Sequence, residues 1–115
     1  MKDWELNTTT KWKRHDDVNM FIFAVTDWCK RNIRSDKKYP IIWIDWHQKN
    51  HFGDYCWTDN EITIYPKKSE TVEDIIDTVI HEWVHWTQIE CNERMANDIA
   101  KQMTPKCWAN LTDNE

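Results

Sequence analysis

Apolar and polar positions alternate along this chain with two different periods, and the change of period marks out its elements. From Asp16 or Asp17, the stretch VNMFIFAVTDWCKRNI sets Val18, Phe21, Ile22, Val25, Trp28, Cys29 and Ile33 at three- and four-residue steps, which predicts a helix with one apolar face. Asp17 is its expected cap, and the basic residues Lys30, Arg31 and Arg34 fall at its C-terminal end, where positive charge is favoured and a solvated helix end accounts for them. After Pro40 the branched and aromatic run at 41–47 predicts a strand. A turn is expected at 50–54, around the single glycine. A second short strand follows at 55–58, a tight turn at Asp59 and Asn60, and a third, strictly alternating strand at 61–65, closed by Pro66.

The helical period returns at Thr71. Thr71 and Asp74 have capping-box spacing, Glu73 and Asp74 suit a helix N-terminus, and Val72, Ile75, Ile76, Val79, Ile80, Trp83 and Val84 trace an apolar stripe. This helix is expected to end near Gln88 or Ile89, and a second to start near Asn92 and stop before Pro105, with Trp108 packing back onto the domain. Residues 1–15 carry Trp4, Leu6 and Trp12 as their only sizeable apolar anchors and read as an edge strand or an arm laid on the domain. The order of helix, three strands and two helices predicts an α+β fold, with a small three-stranded sheet, antiparallel or mixed.

Composition narrows the picture. A chain of 115 residues makes one domain, 1–115, with a modest core to which nine tryptophans contribute unusual area. The first residues lack an apolar signal segment and no run approaches a membrane span, so secretion and membrane insertion are not expected and a cytoplasmic protein is. The net charge of −5 and the scattered lysines and arginines give no basis for nucleic-acid binding. Cys29, Cys56, Cys91 and Cys107 stand far apart without a CxxC pair and read as reduced, mostly packed thiols.

The chemistry lies in the first of the two last helices, as His81-Glu82-Trp83-Val84-His85. Residues i and i+4 share a helical face, so both imidazoles can address one metal ion while Glu82 stands beside it. An acid at this place on a largely apolar helix would otherwise be uncompensated. Eight residues after His85 comes Glu93, in the run Asn92-Glu93-Arg94-Met95-Ala96-Asn97.

Over about thirty residues this stretch resembles the gluzincin metallopeptidases, whose second helix carries NExx(S/A)(D/N). It is also similar to the glutamate-bearing helix of ImmA/IrrE-type and small tailed-phage peptidase-like proteins. The resemblance implies a minimal zincin-like domain in which His81, His85 and Glu93 bind Zn2+, Glu82 is the general base, and Asn97 orients a ligand histidine. The seven residues between His85 and Glu93 are fewer than most such relatives have. A tight helical hairpin would still set His85 and Glu93 at equal distances from the turn. Glu90 is too near the turn, and Cys91 remains an alternative soft ligand.

The implied activity is peptide hydrolysis by a zinc-bound water, with a peptide or protein as substrate. A donor to the transition state is required across the cleft, and Tyr65, His47, His51 and Tyr55 are the candidates. His47 and His51 also have i, i+4 spacing, but in a strand or turn that places them on no common face, so a cleft-lining role is expected rather than a second metal site. His15 has no identifiable partner. Trp83 and Trp86, flanking the ligands, read as core. The competing function is a phage structural or assembly protein with a structural zinc, virion-associated and closed by a fourth ligand such as Cys91. A regulatory peptidase that cleaves a repressor is a third, weakened by the lack of a helix-turn-helix unit.

Overall fold

The structure is a computed structural model that describes residues 14–87 and 92–113. The expected arm with Trp4, Leu6 and Trp12, and the residues Gln88, Ile89, Glu90 and Cys91 where a turn is expected, lie outside the described residues. Three helices accompany a three-stranded mixed sheet, α2 packing on the sheet and α1 and α3 packing on α2: α1 (His15–Asn32), β1 (Ile41–Ile44), β2 (Gly53–Cys56), β3 (Glu61–Ile64), α2 (Val72–Thr87) and α3 (Glu93–Thr112). The strand order is β1-β3-β2, with β1 parallel and β2 antiparallel to β3. Among the described residues no helix is long and apolar enough to cross a membrane.

The tight turn between β2 and β3 ends on Asn60, whose φ of 54° is left-handed. Asparagine tolerates that conformation. Its side-chain amide donates to the carbonyls of Lys38 and Tyr39, and the Ile41 N–H donates to the Asn60 carbonyl. These bonds seat the start of β1 beside β3 and fix the parallel register Ile41 to Glu61. Strict alternation in β3 has its consequence here, since Ile62 and Ile64 are buried and the residues between them are not.

Val18, Phe21, Ile22, Val25, Trp28 and Cys29 of α1 meet Ile75, Ile76, Val79, Ile80, Trp83 and Val84 of α2 in the core. Each large side chain buried there contributes about 1.5–3 kcal/mol relative to exposure. A buried tryptophan N–H usually finds a partner, although Trp86 Nε1 is buried without one among the described residues. Trp28 donates to Asn110 Oδ1, Trp46 to Asn19 Oδ1 and Trp83 to the Ile33 carbonyl, each at 2.8 Å. The expected capping box at α2 is present and reciprocal: Asp74 Oδ2 accepts from the Thr71 N–H, and Thr71 Oγ1 accepts from the Asp74 N–H, both at 3.2 Å.

Several boundaries differ from those expected. α1 begins at His15 with Arg14 as its uncapped N-terminal residue, so Asp17 lies inside the first turn and acts on the helix dipole instead of capping. His15 has a partner after all: its ring stacks on Trp46, with centroids 3.7 Å apart. β1 stops at Ile44 because the Asp45 carboxylate takes the His47 N–H and turns the chain. α3 does not stop before Pro105 but runs through it to Thr112. Proline removes one intrahelical bond, and the tertiary contacts beyond it outweigh that loss: Cys107 is buried, Trp108 packs edge-on to Phe21, and Asn110 holds Trp28.

The second strand starts at Gly53 rather than at Tyr55, so the glycine belongs to a strand and not to the expected turn. A Cβ there would lie 2.9 Å from the Thr63 carbonyl oxygen, 3.0 Å from Thr78 Cγ2 and 3.4 Å from Glu82 Cγ. Gly53 is therefore what lets β2 lie directly against α2 beside Glu82. Gly53→Ala is expected to destabilise the protein by about 1–3 kcal/mol in urea unfolding, as overpacking does. An alanine variant of equal or higher stability would show that β2 does not press on α2.

Candidate metal centre

The face of α2 turned away from the core carries Asp77, Thr78, His81, Glu82 and His85, a polar stripe at helical spacing. α3 folds back along it. Asn92 caps α3, its side chain accepting from the Met95 N–H at 2.8 Å, which makes Glu93 the first helical residue. That start point sets Glu93 opposite the two histidines. Its Oε1 lies 2.8 Å from His85 Nε2 and its Oε2 3.0 Å from His81 Nε2. The two Nε2 atoms are 3.2 Å apart.

Three donor atoms thus converge on one point, all within 4.8 Å of one another, and the group could hold a metal ion. The histidines are largely enclosed, at 12% and 16% side-chain exposure, whereas Glu93 reaches in from solvent at 75%. The expected trio His81, His85 and Glu93 is therefore brought together. Asn97 stands one turn beyond Glu93 on the rim of the cleft and, among the described residues, hydrogen-bonds to neither histidine.

Glu82 is 7% exposed, lines the same cleft, and has no hydrogen-bond partner among the described residues. Burial, reinforced by the nearby negative charge of Glu93 and Asp54, pushes its carboxyl up to about 8. The opposite wall of the cleft, about 490 Å³ in volume, is formed by His51, Phe52, Gly53, Asp54 and Tyr55, with Asp77, Thr78, His81 and Glu82 as its floor. Of the donor candidates, His51 and Tyr55 line it directly. Tyr65 reaches it through Asp54, donating to Oδ2 at 2.8 Å. Burial and that bond push the tyrosine up to about 12. His47 is not among the lining residues: it pairs with Asp45 beyond the end of β1, at the other edge of the sheet.

Two residues of the site have no place in the sequence reading. Asp54 receives Tyr65 and lies 3.2 Å from His51 Nε2, and nothing local in a loop sequence points to such a hub. Asp77 was accessible in principle, because it precedes His81 by four residues and shares its face. Burial raises its carboxyl above the ordinary range, with His81 and Lys101 acting in the opposite direction. Comparison with protein-family models, curated proteins and solved structures gives no match for this chain, so the arrangement of these side chains carries the functional argument alone.

Proposed function

We propose that the protein is a small zinc-dependent metallopeptidase of zincin-like architecture. The observation that carries this reading is Glu82, 7% exposed, whose carboxyl opens on the cleft beside a converging His-His-Glu group without a hydrogen-bond partner among the described residues. A purely structural metal site has no use for such an acid, and its burial costs stability.

The donor set suits zinc. Two imidazole nitrogens and one carboxylate oxygen are a common three-residue set for catalytic zinc, and bonds of about 2.0–2.1 Å to a tetrahedral ion place donors about 3.3 Å apart. The two nitrogens, 3.2 Å apart, are close to that, and one ligand atom from each of the three residues lies within 4.8 Å of the others. Zinc held by His81, His85 and Glu93 would supply a Lewis acid that polarises a scissile carbonyl and acidifies water at its open position. Glu82 takes the proton of the attacking water and hands it to the leaving amine. β2 is an edge strand on the cleft wall, so its outward backbone groups suit an extended peptide. His51, Tyr55 and Tyr65 remain the groups from which a donor to the transition state would come.

His81→Ala and His85→Ala are expected to reduce zinc from about one ion per chain to background in elemental analysis, because two ligands make an incomplete site. Glu93→Gln should weaken binding by more than about tenfold and Cys91→Ser should not. The reverse ranking would move the third-ligand role to Cys91. A chain that keeps full zinc without either histidine has a different centre.

Glu82→Gln tests the base. With zinc retained, hydrolysis of a peptide library is expected to fall about 10²–10⁴-fold, and equal turnover by the variant would remove Glu82 from the mechanism. The same substitution has a second readout in the metal-free protein. Glu82 titrates at about 8 in the folded chain and near about 4.3 in the unfolded one, so between these values the folded state holds the extra proton. Stability is then full below the lower value and falls as pH rises through the upper one, by on the order of a few kcal/mol. Glutamine abolishes that slope, and the variant should gain melting temperature over wild type at pH 8 but not at pH 4. Parallel pH profiles would contradict the buried, unpartnered carboxylate.

A further inference from the structure

We propose that the cleft selects substrates bearing a cationic side chain, lysine or arginine, close to the scissile bond, and that Asp77 is the carboxylate that receives it. This deepens the metallopeptidase reading and rests on it. Asp54, Asp77, Glu82 and Glu93 all line the cleft, and no lysine or arginine does. The nearest cation beside Asp77 is Lys101, which lines an adjoining hollow.

The four acids are not equivalent. Glu93 faces the two histidines, and Glu82 is placed as the base. Asp54 is engaged by the Tyr65 hydroxyl and lies against His51. Among the described residues Asp77 and Glu82 have neither a hydrogen bond nor an ion pair, and of these two only Asp77 is left without a part in the proposed reaction. It also stands where two cavities meet. The main cleft shares Asp77 with a second hollow of about 330 Å³ between α2 and α3, lined further by Glu73, Asp74, Lys101 and Thr104. Asp74 is occupied by the capping box and Thr104 donates to the Ala100 carbonyl, so Asp77 is the unengaged acid at the junction.

A second observation concerns the floor of the same cleft. Glu82, more than nine-tenths buried, points a carboxylate without a hydrogen-bond partner into the same cleft. A half-buried carboxylate next to it gains most from a partner that brings its own positive charge and hydrogen-bond donors, which a guanidinium or ammonium does. Geometry limits where that partner sits. Asp77 and His81 are one helical turn apart, about 6 Å, and an extended peptide advances about 3.3 Å per residue. The cationic residue is therefore within about two positions of the bond to be cut.

Two measurements on the full chain test this. Zinc-loaded protein is given a random peptide library and the cut sites are read by mass spectrometry. Lysine and arginine are expected within two positions of the cut at about tenfold enrichment, falling to about twofold in Asp77→Asn, as for a charge pair losing one partner. Calorimetry then compares pentapeptide amides that carry arginine or its neutral isostere citrulline, with the same tenfold preference expected in wild type and lost in the variant. Cleavage without basic enrichment, or enrichment unchanged in Asp77→Asn, overturns the proposal while leaving the peptidase intact. No cleavage of any peptide removes the peptidase reading, and the calorimetry then decides alone: equal binding of the arginine and citrulline peptides overturns the assignment of Asp77. Loss of zinc from Asp77→Asn also overturns it, because Asp77 would then act on His81 instead of on substrate.

Discussion

Like charges in one confined space are what the rest of this structure has to accommodate. Four carboxylates face a single cleft, and two of them, Glu82 and Asp77, are withdrawn from water by the packing of α2. Lost hydration, reinforced at Glu82 by Glu93 and Asp54, favours protons or cations in the cleft. Glu82 and Asp77 answer with raised pKa values. A divalent ion between His81, His85 and Glu93, and a basic side chain at Asp77, would answer the same demand with chemistry attached. The proposed function and the proposed specificity are thus two consequences of one electrostatic condition.

The scaffold that maintains this condition is rigid where it must be. α2 packs against the sheet, α1 and α3, and its start is fixed by a reciprocal capping box, so its polar stripe has little freedom. Gly53 lets β2 lie directly on that stripe and shields Glu82 from one side. The Asn92 cap fixes the first turn of α3 and with it the reach of Glu93. Each device acts on position, at a cost of about 1–3 kcal/mol or less if lost singly. Together they hold donor atoms to within hydrogen-bond distance of one another across two helices.

What the sequence reveals and what it hides separate along physical lines. The two histidines were legible because a helix repeats every 3.6 residues, and Glu93 through the resemblance of its helix to the gluzincin one, with which a short hairpin is compatible. The capping box and the alternation of β3 were legible for the same reason as the histidines: all are local rules. Pro105 misled because its local penalty is real but smaller than the packing of Cys107, Trp108 and Asn110 beyond it. The glycine misled because glycine serves turns and close approaches alike, and only the distance to Thr63 and Thr78 tells which. The stacking of His15 on Trp46, thirty-one residues away, and the gathering of Asp54, His51 and Tyr65 are tertiary facts with no periodic trace.

A buried acid without a partner also bears on how stability and function trade against each other. An isosteric amide at Glu82 would ease the fold at neutral pH, and an apolar residue would suit the α2 core still better. A fold stable enough to retain the carboxylate is therefore spending part of a marginal free energy on one group. Such local inconsistency, an acid held where every structural rule prefers something else, is the signature expected of a functional position. It argues for chemistry at Glu82 more strongly than the motif around it does. A motif can arise by chance, whereas a destabilising side chain that costs the fold at every pH above its unfolded titration calls for a compensating use.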